Sequence, residues 1–311
     1  MINLKMVAAL VPLLVGIGSG SARALDPYEE DYPLKLFGKY VFFDKISVPP
    51  RMACATCHTP EAGWTNGDSR TNATQVAVTG ANPNPVGTLK PPSNAYASLI
   101  MDFESPCVSL PGPAIPSGVC GGNFWNGRAT GADVRAINEL TDVVPAGTGW
   151  EKYLGATADQ AHASPFTNPV EQGVANITDV CKIVRNADYA PLYKEVFKEH
   201  IDCGYGVEKT FARFALALAA YQDSKDVNAF ESKRDRALAW DYDGKFPLDN
   251  FTAKENLGHD LFYNATLFGP PPRPDLPVTN CSSVTTAAAF RSPRVARLLA
   301  TQLQSMSSVQ I

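Results

Sequence analysis

The sequence is poor in histidine and carries no excess of positive charge. Its 311 residues include four histidines, and 27 lysines and arginines are outnumbered by 31 aspartates and glutamates, which gives a net charge of -4 at pH 7. This acidic balance argues against nucleic acid or an anionic membrane surface as a partner. After residue 24 the sequence also lacks an apolar run long enough to cross a bilayer. These absences indicate a soluble protein that has neither nucleic acid nor an anionic membrane surface as a partner.

No stretch alternates apolar and polar residues in the manner of a half-buried strand. Apolar residues recur at helical spacing instead, and 25 prolines and 23 glycines indicate long ordered loops. Thr252 and Glu255 form a capping box, which starts a helix. Other helices are predicted over 33–45, 132–143, 178–186, 189–200 and 207–222. In the first of them one apolar face is predicted to hold Leu36, Phe37, Tyr40 and Phe43. The sequence therefore predicts a mostly α fold with long loops.

Residues 1–24 have the layout of a secretory signal. A short segment with one lysine precedes the apolar run "MVAALVPLLVGIG", and "SGSARA" ends in the small-residue pattern Ala22-Arg23-Ala24. Cleavage after Ala24 is expected, with export to the periplasm and no membrane attachment afterwards.

The seven cysteines can be divided into pairs on this expectation of an oxidising compartment. Cys107 and Cys120 bracket a loop rich in proline and glycine, and Cys181 and Cys203 bracket a helical stretch. We predict a disulfide for each pair, although sequence alone does not fix connectivity. Cys54 and Cys57 are assigned to a ligand, and Cys281 is left unpaired.

The string Cys54-Ala55-Thr56-Cys57-His58 is the pattern of c-type haem attachment. In this pattern the two thiols form thioethers with the haem vinyl groups, and the histidine binds the iron. Zinc and a redox disulfide are the alternatives. Zinc would need a fourth ligand, and no second C-x-x-C accompanies the scattered histidines; a thioredoxin-type motif would need a βαβ context. We therefore predict one covalent haem c on Cys54 and Cys57, with His58 as the iron ligand.

Few residues could close the sixth position of the iron. After residue 24 the methionines are Met52, Met101 and Met306, and Met52 is too near Cys54 to reach the opposite haem face. His162 is a further candidate, but an exposed loop histidine is the simpler interpretation. An open or weakly held position is expected, which favours a catalyst over an electron carrier.

Five ordered motifs resemble the bacterial dihaem cytochrome c peroxidase family, which includes MauG-type enzymes. They are "FGKYVFFDKISVPPRMACATCHTPEAGWTNG", "PPSNAYASL", "GGNFWNGRATG", "QAHASPFTNPVEQ" and "FARFALALAAYQDS", and they cover roughly residues 35–225. The resemblance implies a cytochrome c-like haem domain, with hydrogen peroxide or a protein as substrate. It also implies a small electron donor such as a monohaem cytochrome or a cupredoxin, and a homodimer is one oligomeric state that it allows.

The resemblance assigns catalytic roles to three residues. Trp125 in "FWNGRA" matches the tryptophan that lies between the two haems of the family, a candidate electron relay. Glu171 in "NPVEQ" matches the pocket glutamate that moves protons, a role suited to a carboxyl whose ionisation burial disfavours. Gln160 matches the pocket glutamine, although one extra residue separates it from Glu171.

The sequence departs from the family at several positions. Asn126 replaces the usual aspartate, and Gln172 the usual methionine. Lys90 stands where the resemblance leads us to expect an asparagine, so the calcium ion that the family often binds between its haems has no convincing ligand set. The family's second C-x-x-C-H is also missing, because "NCSSVTT" occupies its place at 280–286.

This last departure leaves two functional hypotheses. The expected organisation is a haem domain over 25–240, followed over 241–311 by the incomplete start of a second cytochrome c-like segment. A single-base deletion would convert a second Cys-His into Val284-Thr285, and decay by substitution is the alternative. The first hypothesis is a peroxidase-type enzyme whose full-length relatives hold two haems. The second is a monohaem electron-transfer protein or an inactive remnant.

Overall fold

The computed structural model describes residues 25, 27–75, 77–82, 89–107, 118–163, 170–240, 247–248, 250–263 and 274–276. Within this part of the chain there is no β-strand, only three isolated bridges. None of its helices has the length and apolar character needed to cross a membrane. The α-helices are α1 Tyr32–Phe43, α2 Cys54–Cys57, α3 Ser69–Thr74, α4 Ala132–Thr141, α5 Ala156–Ala163, α6 Ile177–Arg185, α7 Ala190–Phe197, α8 Val207–Gln222, α9 Lys233–Trp240 and α10 Ala253–Tyr263. The prediction of a mostly α fold is confirmed.

Helix α8 is the centre of the fold. Its side chains are buried from Thr210 to Gln222, and it packs against α1, α4, α5 and α6. Gly38 allows α1 to approach it closely, since a Cβ on Gly38 would lie 1.9 Å from the carbonyl oxygen of Ala217. The two helices are therefore in backbone contact, and α1 leads directly into the segment that carries the cysteine motif.

The predicted buried face of α1 was wrong in part. Phe37 is fully buried as expected, but Tyr40 is 47% exposed and Phe43 is 37% exposed. The face that packs against α8 is the one that contains Gly38, and it buries Leu34, Phe37, Val41 and Phe42. Apolar residues occur on more than one face of α1, so periodicity alone could not identify the buried one.

Both predicted disulfides are confirmed. Cys107 is bonded to Cys120, and Cys181 to Cys203. Cys54 and Cys57 are free thiols. The predictions for residues 1–24, for Cys281 and for the whole of 280–286 lie outside the described residues, so the signal segment and the division at residue 240 stay predictions.

Candidate functional site

The two cysteines of the motif lie on the one-turn helix α2. Thr56 Oγ1 accepts a hydrogen bond from the backbone N–H of Ala53 at 2.9 Å, which caps the helix. Residues three apart on a helix are neighbours. This turn therefore presents the sulfurs of Cys54 and Cys57 together, and both line one cavity.

His58 follows directly and is oriented by the backbone. Its Nδ1 lies 3.1 Å from the carbonyl oxygen of Trp64. Burial lowers the pKa of His58, and the carbonyls of Trp64 and Pro92 oppose this only in part. The neutral imidazole is the form that binds metals, and a histidine held through Nδ1 presents Nε2 as the ligand.

Both thiols stay protonated at neutral pH. Burial, assisted by the neighbouring Cys57 and by Glu171, raises the pKa of Cys54 to about 12. Burial and the charge of Glu171 raise the pKa of Cys57 to about 11. Free thiolates are disfavoured here, which argues against a dithiol that exchanges with disulfides.

A cavity of about 260 Å³ brings the predicted site residues together. Cys54, Cys57 and His58 line it along with Trp125, Gln160 and Glu171. The remaining lining residues come from α1, from positions 52–53, 77–80, 89–94, 124–128, 161 and 170–172, and from the end of α8. Segments far apart in the sequence thus converge on the cysteine motif.

Glu171 lies in a turn that is tied to the rest of the cavity wall by backbone hydrogen bonds. Its carbonyl oxygen accepts from the N–H of Ala81 at 2.7 Å, and the N–H of Val48 donates to the carbonyl of the next residue, Gln172, at 2.8 Å. Burial raises the pKa of Glu171, and the positive charge of Arg128 opposes that rise. A carboxyl in this setting can exchange a proton near neutral pH more readily than an exposed one can.

Trp125 is not a core tryptophan. Its side chain is 65% exposed, although the residue also lines the cavity, and its Nε1 donates to the carbonyl oxygen of Lys90 at 2.7 Å. This ring therefore lies between the cavity and solvent, at a position suited to electron entry from outside.

Gln172 is a pocket residue that we did not predict. Its side chain is 5% exposed, it lines the cavity, and its Oε1 has no hydrogen-bond partner among the described residues. Arg128 was missed as well. Both residues lie inside motifs that carry the family resemblance, Arg128 in "GGNFWNGRATG" and Gln172 in "QAHASPFTNPVEQ", and that membership was the available sequence signal. A buried acceptor without a partner normally has a ligand or water to satisfy it.

The residues considered for the sixth iron position do not all reach the cavity. Met52 lines the cavity, whereas Met101 and His162 do not. His162 was expected in an exposed loop but lies on α5, where its ring packs edge-on against Phe211 with the centroids 5.1 Å apart. Met306 lies outside the described residues.

The chemistry of the donor set fits a covalent haem better than the two alternatives. Two neighbouring cysteines, the adjacent histidine and a mostly apolar wall line one cavity, as haem attachment requires. Within the described ranges, Cys54 and Cys57 are not part of any group of three metal-binding side chains. The group that exists is Glu104, Cys107 and Cys120, whose two cysteines form a disulfide.

The fold and the site define a helical protein with one c-type haem motif at a pocket that is open in part to solvent. Comparison with known proteins extends this description: the family model for di-haem cytochrome c peroxidase matches residues 34–243. The chain belongs to this family, whose members bind c-type haem.

Individual relatives support the same assignment. The methylamine utilization protein MauG of Paracoccus denitrificans is 27% identical over 263 residues, which is 82% of this chain and 55% of that protein. The diheme peroxidase BthA of Burkholderia thailandensis has a similar fold, with a TM-score of 0.52, 21% identity, and coverage of 76% of this chain and 48% of that one. A variant of BthA gives a TM-score of 0.54 with the same identity and coverage. The chain thus spans about half the length of these relatives.

Proposed function

We propose that the chain is a periplasmic c-type haem oxidoreductase that reduces hydrogen peroxide with electrons from a small donor protein. The observation that carries the proposal is the cavity in which Glu171 and Gln160 meet Cys54, Cys57 and His58. A bound haem would supply an iron that can accept peroxide and exchange electrons. The periplasmic location is inferred from the signal layout of residues 1–24.

Each chain residue has a distinct part in this proposal. Cys54 and Cys57 hold the haem, and His58, fixed by the carbonyl of Trp64, binds the iron. Glu171 takes a proton from peroxide at one oxygen and returns it at the other, while the amide of Gln160 orients the substrate. Trp125 receives electrons at the exposed edge of the cavity. Two electrons and two protons convert one peroxide into two water molecules.

Oxidation of a protein substrate is the other form of this chemistry, and it is supported by the likeness to MauG. A non-enzymatic monohaem electron carrier is the second candidate function. The observation that favours it is the sequence "NCSSVTT" in place of a second C-x-x-C-H. The proposed electron donor is a small protein such as a monohaem cytochrome or a cupredoxin. A homodimer is the proposed oligomeric state.

The test is to produce the chain in a host that attaches c-type haem and to count haems per chain. Peroxide is then added, and the Soret band is followed by stopped flow. We expect one haem, a rapid Soret change, and a loss of rate of about 10²–10⁴-fold in Glu171→Gln. Glu61→Gln, on the 3₁₀ turn Pro60–Ala62 that follows the motif, is the control. An unreactive iron that also fails to bind cyanide would favour the carrier.

A further inference from the structure

Aromatic rings lead from the cavity to a buried tyrosine. Phe42 lines the cavity, and its ring centroid lies 5.8 Å from that of Trp64 and 5.4 Å from that of Tyr221. The rings of Trp64 and Tyr221 are also in edge contact, with centroids 6.1 Å apart. The backbone carbonyl of Trp64 faces Nδ1 of His58 at 3.1 Å, so the residue that carries one of these rings also contacts the proposed iron ligand.

Tyr221 has its own proton acceptor. Its hydroxyl donates to Asp226 Oδ2 at 3.0 Å, and the same oxygen accepts from Lys39 Nζ at 2.6 Å. The side chains of Tyr221 and Asp226 are fully buried. Burial and the charge of Asp226 raise the pKa of Tyr221, so the phenol keeps its proton. A phenol gives up an electron readily when its proton can leave in the same step, and Asp226 is placed to take it.

We propose that Trp64 and Tyr221 form a redox relay that supplies one electron to the peroxide-oxidised site, while Asp226 takes the phenolic proton. This inference rests on the proposed function. Its value to the protein is to hold one oxidising equivalent away from the haem until a donor arrives.

One peroxide accepts two electrons and two protons and gives two waters. Tyr221 supplies the first electron through Trp64 and becomes a neutral phenoxyl radical, while Asp226 becomes a neutral acid. A bound haem would supply the second electron, which the donor protein later replaces, and the two protons consumed come from solvent. A further donor electron then reduces the radical, and Asp226 returns the proton to the phenol.

A second tyrosine provides a matched control. Tyr189 also donates to a carboxylate, Asp44 Oδ2, at 2.7 Å. Its ring contacts are with Phe37 and Tyr40, at 6.0 and 5.5 Å between centroids, and do not include Trp64. Tyr189→Phe thus removes a phenol hydroxyl that donates to a carboxylate, as that of Tyr221 does, and leaves Trp64 and Tyr221 in place.

The experiment uses the haem-loaded chain, prepared with and without ring-deuterated tyrosine and mixed with hydrogen peroxide in the absence of donor. Samples are frozen at successive times for electron paramagnetic resonance, and the Soret band is recorded in parallel. We expect a tyrosyl radical whose hyperfine splitting collapses on deuteration. The signal should be lost in Tyr221→Phe, retained in Tyr189→Phe and slower to form in Trp64→Phe.

Asp226→Asn gives a second test that leaves the phenol in place. Asparagine keeps an acceptor oxygen but is a much poorer base, so the radical should form more slowly. Haem content and circular dichroism verify that each variant is folded. A radical unchanged in both Tyr221→Phe and Asp226→Asn, or lost in Tyr189→Phe, would overturn the relay while a normal Soret change upholds the proposed function. No Soret change in the parent chain would overturn both.

Discussion

Gly80 lies directly against the turn that carries Glu171. A Cβ built on Gly80 would lie 2.5 Å from Glu171 Cα and 2.0 Å from the carbonyl oxygen of Val170. Real Cβ atoms essentially never come this close to backbone, so the turn and the wall of the cavity fit only because residue 80 is glycine. The glycine thus fixes where the Glu171 carboxyl stands relative to the cysteine motif.

Gly80→Ala is therefore expected to impair catalysis more than haem binding. A displacement of the Glu171 turn by about 1 Å should lower the peroxide rate by on the order of 10²-fold. The measurement is the stopped-flow rate, with haem content determined on the same samples. Gly258→Ala is the control, because its Cβ would meet nothing within 4 Å. An unchanged rate in Gly80→Ala would mean that the turn can relax without moving Glu171.

Asp159 of α5 caps α4 from outside that helix. Its Oδ1 accepts from the N–H of Val134 at 2.7 Å, and its Oδ2 accepts from the N–H of Gly131 at 2.5 Å. Asp159→Asn would turn an NH₂ group toward one of these donors, and we expect a loss of about 1–2 kcal/mol in the free energy of unfolding. Thermal unfolding measures the loss. Asp68→Asn, at the exposed N-cap of α3, is the matched control, since asparagine caps a helix as well as aspartate does.

The local features of this fold were predictable from sequence, because neighbouring residues determine them. Helix α8 was predicted at Val207–Gln222, and Phe211, Phe214, Leu218 and Tyr221 are buried as their spacing required. The cysteine pairs were predicted for a similar reason, since each brackets a single loop or helix.

Features that depend on distant segments could not be predicted in this way. The exposure of Trp125 follows from its hydrogen bond to Lys90, 35 positions away. The buried face of α1 depends on the approach of Ala217 to Gly38. The role of Gln172 in the cavity was missed because a glutamine in a loop carries no periodic signal. Only the packed structure brings these groups together.

Protonation of Asp31 should make the free energy of unfolding depend on pH in the acid range. Burial would raise the pKa of Asp31, but hydrogen bonds from Lys152, Trp150 and Tyr153 outweigh it and hold the pKa below its ordinary value of 3.8. The unfolded chain therefore takes up this proton at higher pH than the folded chain, so the stabilisation is complete above pH 3.8 and is lost as pH falls through the folded pKa.

We expect Asp31→Asn to reduce the acid sensitivity of unfolding in this range. Urea unfolding at a series of pH values, followed by tryptophan fluorescence, measures it, and Trp150 is a direct reporter because its Nε1 donates to Asp31 Oδ1 at 2.7 Å. Glu151→Gln removes an exposed carboxylate of the adjoining 3₁₀ turn and should leave the profile unchanged. Equal profiles for the parent and Asp31→Asn would contradict the assignment.

The two disulfides should contribute unequally to stability. Cys181–Cys203 closes a loop with a sequence separation of 22, against 13 for Cys107–Cys120. Cys181 is a fully buried member of the core on α6, which packs on α8, so its bond also links α6 to the segment that leads into that helix.

Loop-closure entropy gives about 3 kcal/mol for a loop of this size. Replacing both Cys181 and Cys203 with alanine should therefore lower Tm by roughly 6–12 °C for a domain of this length. The Cys107, Cys120 double variant should lower it by less, because its loop is shorter and because Cys107, although buried, is not part of the hydrophobic cluster that contains Cys181. Differential scanning calorimetry of the two double variants at equal haem content measures both Tm values. A larger loss of Tm in the Cys107, Cys120 variant would show that this disulfide supports the fold more than Cys181–Cys203 does.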